Sequence, residues 1–422
     1  MATAQRTSIY LFAQDVVDEG IDVVLDRLRD AGLGGVTMAA AYHHSRDVFP
    51  HNPRHKVVYL EGGTTYFHPD LSRYAGTRLK PKAAAIAAAG DPLAALVAAA
   101  NRRQMHVAAW TVFLHNTRLA FAEPECAPLT AFGDRLLNCL CPAHPQVRAY
   151  ATALASDVAR YGVDTIKLEA LSYMPFDHGY HHERSFIHLS PTLRFLLGLC
   201  FCLHCVAAVQ AAGVDGERVR AWVVETVGAV FETSQHERTD TDVDEPWLRS
   251  ACDGELGRYI DARKAVVTSL VAEVTSAIHA ESPSTRVVFL DLSGATLGFG
   301  GGQPATEQAA VEIAWRDGVD LAGVATASDG LGALAYFAAL DRFEREVAEY
   351  QKVLAPGRRL EVVSRPMLPD AASSDALAAK LAVLERLGVD DVAFYHYGFM
   401  RLESLHWIAR ALEAQGSARA PG

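Results

Sequence analysis

The stretch "GVDTIKLEALSYMPFDHGYHHER", residues 162–184, decides the fold. Its core, "DTIKLEAL" (164–171), is a short apolar run entered from the helical turn "ARYGVD" and left through a polar loop rich in histidine and aromatic residues. A run of this kind reads as a parallel strand covered on both faces, because such strands lose the in/out alternation of an antiparallel sheet. Seven further runs have the same character: "SIYLFAQ" (8–14), "GVTMAAAY" (35–42), "HVAAWTVF" (106–113), "RVVFLDLS" (286–293), "VDLAGVAT" (319–326), "LEVVSRPM" (360–367) and "DVAFYHYG" (391–398). Helical stretches ending in glycine-bearing or polar turns lie between them. Eight strands alternating with helices predict an α/β fold, the (β/α)8 TIM barrel. The rival, a doubly wound open sheet, expects a glycine-rich phosphate loop after its first strand. Here "YLFAQDVVDEG" (10–20) stands in that place.

The predicted barrel spans residues 1–415 and carries two long insertions, both leaving from strand C-terminal ends, where barrel active sites are built. One follows strand 2 (43–90), with "HKVVYLEGGTTYFHP" expected to form a hairpin turning at Gly62-Gly63. The other, largely helical by pattern, follows strand 4 (172–285), and residues 416–422 read as a flexible tail. A chain of 422 residues, half of them hydrophobic, can bury a core of this size. The net charge of −11, with no dense Lys/Arg run, argues against a nucleic-acid or membrane-surface partner. Without a secretory leader or a membrane-spanning window, the expectation is a cytoplasmic protein with a small-molecule or oligosaccharide substrate and no cofactor. Seven cysteines, an odd number, fit reduced thiols better than a disulfide framework.

Polar groups gather at the predicted strand tops. They are Gln14 after strand 1; Tyr42, His43 and His44 after strand 2; Trp110, His115 and Asn116 around strand 3; Lys167, Glu169 and Tyr173 at strand 4; Asp291 on strand 5; Asp329 after strand 6; Arg365 on strand 7; and Tyr395 and His396 on strand 8. Paired carboxylates walled by aromatic and hydrogen-bonding groups suit glycoside chemistry, in which one carboxyl protonates the leaving oxygen and the other stabilises or attacks the oxocarbenium-like centre. Glu169 and Asp291, on adjacent strands, would sit about 5 Å apart, the retaining spacing, and Asp329 would suit the wider inverting one. Each also has a structural reading: Lys167 and Glu169 as an internal ion pair, Asp291 as a turn cap, Asp329 as a helix N-cap and Arg365 as a carboxylate clamp.

His178, His181 and His182 in the loop after strand 4 are expected to include at least one residue that faces the cavity and binds hydroxyls. Together with His43 and His44 they could instead recruit a metal, although no His-Glu-x-x-His motif is present. "LCFCLHC" (199–205) sets Cys200, Cys202 and Cys205 in a C-x-C-x-x-C arrangement, which a structural zinc would complete with Cys252 or His204. The alternative is a helix start with apolar thiols, the reading also given to Cys139 and Cys141.

A strand-4 carboxylate, a downstream "CFCLHC" (200–205) and an elaborated rim resemble bacterial glycoside-hydrolase-like (β/α)8 proteins, some of which carry CFC-x-x-C segments after strand 4. The resemblance implies a catalytic carboxylate at the end of strand 4, which maps onto Glu169. Many barrel glycosidases also place a glutamate at the end of strand 7, where this chain has "VVSRPM" (362–367), so Asp291 or Asp329 is left as partner. The expectation is a carbohydrate-active enzyme, a glycoside hydrolase. A metal-dependent sugar isomerase, epimerase or lyase and a non-catalytic carbohydrate-binding barrel stay open as alternatives.

Overall fold

The structure is a computed structural model that describes residues 6–178, 184–233, 243–298, 306–389 and 391–419. Its strands are β1 (Arg6–Leu11), β2 (Gly35–Tyr42), β3 (Ser45–Val48), β4 (Val57–Leu60), β5 (Thr64–Thr65), β6 (His106–Val112), β7 (Thr165–Glu169), β8 (Arg286–Asp291), β9 (Gly330–Leu334), β10 (Arg359–Ser364) and β11 (Asp391–Phe394). Eight of them, β1, β2 and β6 to β11, run parallel, and β1 pairs with both β2 and β11, so the sheet closes into a (β/α)8 barrel. Helices on the outside cover it, for example Pro145–Ala159 and Leu340–Val353.

Seven of the eight expected strands coincide with barrel strands; the sixth does not. "VDLAGVAT" is mostly helix, Leu321–Ala327, and the strand is the glycine-rich "GLGAL" that follows it. The glycines are there for space. A Cβ at Gly330 would lie 2.3 Å from the carbonyl oxygen of Arg359, and one at Gly332 would lie 2.3 Å from the Leu290 side chain. Glycine has low strand propensity, so crowding inside the barrel overrides the local pattern here.

One buried pair fixes which residues face the barrel interior. Strand β7 has β6 and β8 as neighbours, yet Lys167 reaches Glu361 on β10, with Nζ to Oε1 at 2.7 Å, and Thr37 on β2, with Nζ donating to Oγ1 at 2.9 Å. Both contacts cross the interior. The Lys167 ammonium also lies 4.3 Å from the centre of the Tyr10 ring. Alternation then turns Glu169 inward with Lys167. Across the β7–β8 register, where Lys167 faces Val288, it turns Val288 and Leu290 inward and Asp291 outward.

The insertion after β2 contains a hairpin, but it is formed by β3 and β4. The Gly62-Gly63 turn instead leads into β5, which adds antiparallel to the end of β2. The insertion after β7 is helical: Pro191–Leu197, Leu203–Ala211, Gly216–Glu232, Glu245–Ser250 and Glu255–Glu281. In Gly216–Glu232 the residues Val219, Val223, Val227 and Val230 form one stripe and close a second, smaller core with Leu248, Leu256, Tyr259 and Ile260. The long helix Glu255–Glu281 joins the two cores, since its later residues Val267, Leu270, Val274 and Ile278 pack on the barrel. The C-terminal helix Leu402–Arg419 runs on into the segment expected to be a tail. Among the described residues, no helix is long and apolar enough to cross a membrane.

The Lys167–Glu361 pair yields a stability prediction. Removing one partner strands a buried charge, so Glu361→Ala should lower the unfolding free energy by about 3–5 kcal/mol. The double variant Lys167→Met/Glu361→Leu should recover most of that loss. Urea unfolding curves of the three proteins check both points.

Candidate active site at the barrel mouth

Strand β7 stops at Glu169 because Ala170 takes up the left-handed conformation, with φ of 51°, which ends the ladder. The Glu169 carboxyl therefore stands at the C-terminal mouth. Trp110 lies one step lower on β6, in register with Lys167, and its indole Nε1 donates to Glu169 Oε2. Tyr10 on β1 meets the Trp110 ring edge-on at 5.1 Å, and Tyr42, at the end of β2, does so at 4.6 Å. Tyr395 completes the ring at 5.9 Å from Trp110, with Tyr336 5.6 Å beyond it. The Tyr42 and Tyr395 hydroxyls are hydrogen-bonded to each other.

This enclosure sets the proton affinity. Loss of water around Glu169 raises its carboxyl to about 7, and the Trp110 hydrogen bond only partly opposes that. The side chain keeps a small opening to solvent at the mouth. Burial, followed by repulsion that includes the Glu169 charge, raises the hydroxyls of Tyr10, Tyr42, Tyr336 and Tyr395, which stay protonated at any working pH. The arrangement is a proton-bearing carboxyl near neutrality, ringed by neutral hydrogen-bonding groups and flat apolar faces.

The two aspartates expected to pair with Glu169 lie elsewhere. Asp291 faces outward into the helix layer, where its carboxylate accepts from the Tyr350 hydroxyl and from Ser293 Oγ. Asp329 precedes β9 and so sits at the opposite, N-terminal end of the barrel, accepting from Val287 N at 2.9 Å and contacting His279 Nε2 at 3.0 Å. The displaced sixth strand is the physical reason, because a residue read as following a strand in fact leads into one. The other carboxylates that act on these tyrosines are Glu361, on Tyr10, Asp47 of β3, on Tyr42 and Tyr395, and Asp370, on Tyr336. Asp370 is held in a two-pronged pair by Arg365, at 2.6 Å and 2.7 Å, and the guanidinium lies 4.6 Å from the centre of the Tyr336 ring. That is the clamp reading of Arg365.

The remaining expected residues divide. Tyr42, Trp110 and Tyr395 line the mouth. His43 and His115 stack at the rim, with ring centres 4.4 Å apart, and His178 meets His115 edge-on at 4.9 Å. Burial lowers His43 to about 4 and His115 to about 2, so the stacked pair is neutral. His44 packs against Gly62, and Gln14 lies beside the Tyr66 hydroxyl. Asn116 caps the helix Thr117–Ala122, accepting from Leu119 N, and a Cβ at Gly63 would lie 2.1 Å from its Oδ1. His396 is buried between Phe12 and Phe399, with ring centres 4.3 Å and 4.5 Å away. Tyr173 faces away from the mouth, with its hydroxyl 3.3 Å from Cys205 Sγ. His181 and His182 lie outside the described residues. Sequence reasoning missed Tyr10, Tyr336 and Asp47. The inward alternation of strand 1 marks Tyr10, whereas Tyr336 follows the misplaced strand and Asp47 follows an unrecognised hairpin.

Cys200, Cys202 and Cys205 do form a metal-type cluster, and the fourth thiol is Cys141. Its Sγ lies 3.7 Å, 3.6 Å and 3.5 Å from theirs. All four sulfurs are buried and fall within 4.8 Å of one another. A tetrahedron with Zn–S bonds of about 2.3 Å has sulfurs about 3.8 Å apart, so the four residues fit zinc. Cys252 belongs to the second core, and the His204 ring packs on His144 at 4.4 Å. The cluster ties the loop before helix Pro145–Ala159 to the helical insertion. Among the described residues, it is the one group of His, Cys, Asp and Glu whose ligand atoms converge on a metal position.

Similar folds occur in an α-L-fucosidase isoenzyme 2 from Paenibacillus thiaminolyticus, with TM-score 0.55, 13% identity, and 99% of this chain and 50% of that one covered. They also occur in β-galactosidases from the psychrophilic Marinomonas ef1, with TM-score 0.56, 10% identity and coverage of 98% and 60%, and from Bacillus circulans sp. alkalophilus, with 0.54, 12%, 97% and 55%. The fold is shared with glycoside hydrolases. The chain spans 50% to 60% of the length of these three structures. No protein-family model matches the sequence, and no curated protein matches it.

Purified protein should carry about one zinc per chain by elemental analysis. Cys141→Ser should lose it and lower the melting temperature, whereas Cys252→Ser should keep both.

Proposed function

We propose that the protein is a glycoside hydrolase and that Glu169 is its general acid. The observation that carries this reading is the Glu169 carboxyl itself: at the end of β7, enclosed by Trp110 and four tyrosines, and raised to about 7 by burial. Such a group is protonated at the start of a catalytic cycle near neutral pH and can hand its proton to a leaving glycosidic oxygen. The Trp110 indole then stabilises the carboxylate that remains, and the aromatic faces offer stacking surface for sugar rings.

Asp47 is our candidate for the second carboxylate, in place of Asp291. It acts on the same Tyr42 and Tyr395 hydroxyls as Glu169. Burial raises its own proton affinity and the Ser45 hydroxyl, which donates to it, opposes that. With Glu169 as the acid, Asp47 on the rim hairpin would be the base that activates a water, the inverting arrangement, which needs carboxyls about 6.5–9.5 Å apart. A second reading, a barrel that binds carbohydrate without cleaving it, is favoured by the outward Asp291, the distant Asp329 and the clamped Asp370.

Hydrolysis of aryl glycosides, fucosides and galactosides first, tests the assignment. Wild type should turn over at least one of them and keep that activity after chelation. Its rate should fall as pH rises through about 7, because only protonated Glu169 is active. Glu169→Gln should lose roughly 100- to 10,000-fold on poor leaving groups, and far less on dinitrophenyl glycosides, which leave without acid help. Sugar binding with no turnover of any substrate would favour the second reading; loss of turnover on chelation with the four-thiol zinc and the melting temperature unchanged would favour a metal-dependent enzyme.

A further inference from the structure

A second cavity, of about 240 Å³, lies beside the mouth, between the segment after β7, the helical insertion and the segment after β8. Met174, Pro175, Phe176, Phe195 and Ile313 give it apolar walls, and Arg263, Arg316, Arg194 and Asp317 give it charge. Phe176 and Arg194 also line the adjoining groove that His178 borders, so the cavity opens toward the rim of the candidate active site.

Arg194 is paired with Asp177, and Arg316 Nη2 donates to Val243 O and Gln308 Oε1. Arg263 is 2% exposed, lies 4.0 Å from the centre of the Tyr173 ring, and has no hydrogen-bond partner at Nε or Nη1 among the described residues. The Asp317 carboxyl has no hydrogen bond or ion pair among them either. Burial and the Asp291 charge behind it raise Asp317 to about 7, against the pull of Arg263 and Arg316. A buried guanidinium and a half-buried carboxyl, both short of partners in one cavity, are groups that a ligand would satisfy.

We propose that this cavity is a binding site for a single acidic sugar unit, a uronate, whose carboxylate is held by Arg263 and Arg316 and whose ring lies against Phe176 and Phe195. The site stands apart from Glu169, so it holds or fails whether or not Glu169 catalyses hydrolysis. The volume suits one sugar ring, and the guanidinium pair selects an acidic sugar over a neutral one. Protonated Asp317 adds a donor, whereas ionised Asp317 repels the ligand. Binding therefore strengthens as pH falls through about 7, while the ligand's own carboxyl stays ionised.

Isothermal titration of the full chain with D-glucuronate, D-glucose and inorganic phosphate tests this. Glucuronate should bind at pH 6 at least about tenfold more tightly than at pH 8, and at least about tenfold more tightly than glucose or phosphate, the scale of one charged hydrogen bond. Asp317→Asn should bind equally at both pH values, and Arg263→Gln should lose about tenfold or more. If Arg263→Gln does not fold, the Asp317→Asn comparison decides. The proposal is overturned by absence of glucuronate binding, by equal binding of glucose or of phosphate, or by an unchanged pH dependence in Asp317→Asn.

Discussion

The site depends on the desolvation of one carboxyl. Glu169 can remain ionised only by giving up most of its hydration to Trp110, Tyr10, Tyr42, Tyr336 and Tyr395, and a single indole N–H does not replace it. Moving a carboxyl from 4.5 to about 7 corresponds to about 3 kcal/mol. The sign is specific. The native state holds this proton more tightly than the unfolded chain, so the cost is absent below pH 4.5, grows as pH rises, and is complete above 7. The rest of the barrel carries that cost, and the gain is a proton donor poised at neutral pH.

Rigid elements hold the carboxyl in place. Lys167, two residues earlier on the same strand, is pinned across the barrel to Glu361 and Thr37, which fixes the facing of β7 and with it the direction of Glu169. Tyr10, under which the Lys167 ammonium sits, is also one wall of the mouth, so the interior ion pair and the aromatic ring share a member. Farther out, the four-thiol cluster fastens the helical insertion to the rim, and Tyr173 links it to Arg263 in the second cavity. Interior, mouth and insertion are connected through named side chains.

Much of this was legible in the sequence, because apolar runs between helices report parallel strands directly. Glu169, Trp110, Tyr42 and Tyr395 could be placed at the mouth from strand ends alone. What escaped was set by long-range packing. Glycines at 330 and 332 make room for Arg359 and Leu290, which no local pattern reveals, and the shift of that strand carried Asp329 to the wrong end. A strand-end position does not by itself say which way a side chain points, so Asp291 could be assigned to the mouth while its carboxylate faces Tyr350. Cys141 lies 59 residues from Cys200 and joins it only when the barrel closes.

Enclosure keeps the Glu169 proton near neutrality. Infrared difference spectroscopy of the wild type against Glu169→Gln measures this directly, through the stretch of a protonated carboxyl followed over pH; Asp15 and Asp317, also raised to about 7, cancel in the difference. The wild type should show a band, absent from the variant, that disappears with a midpoint of about 7. A Glu169 band that titrates near the ordinary glutamate value of about 4.3 would contradict it.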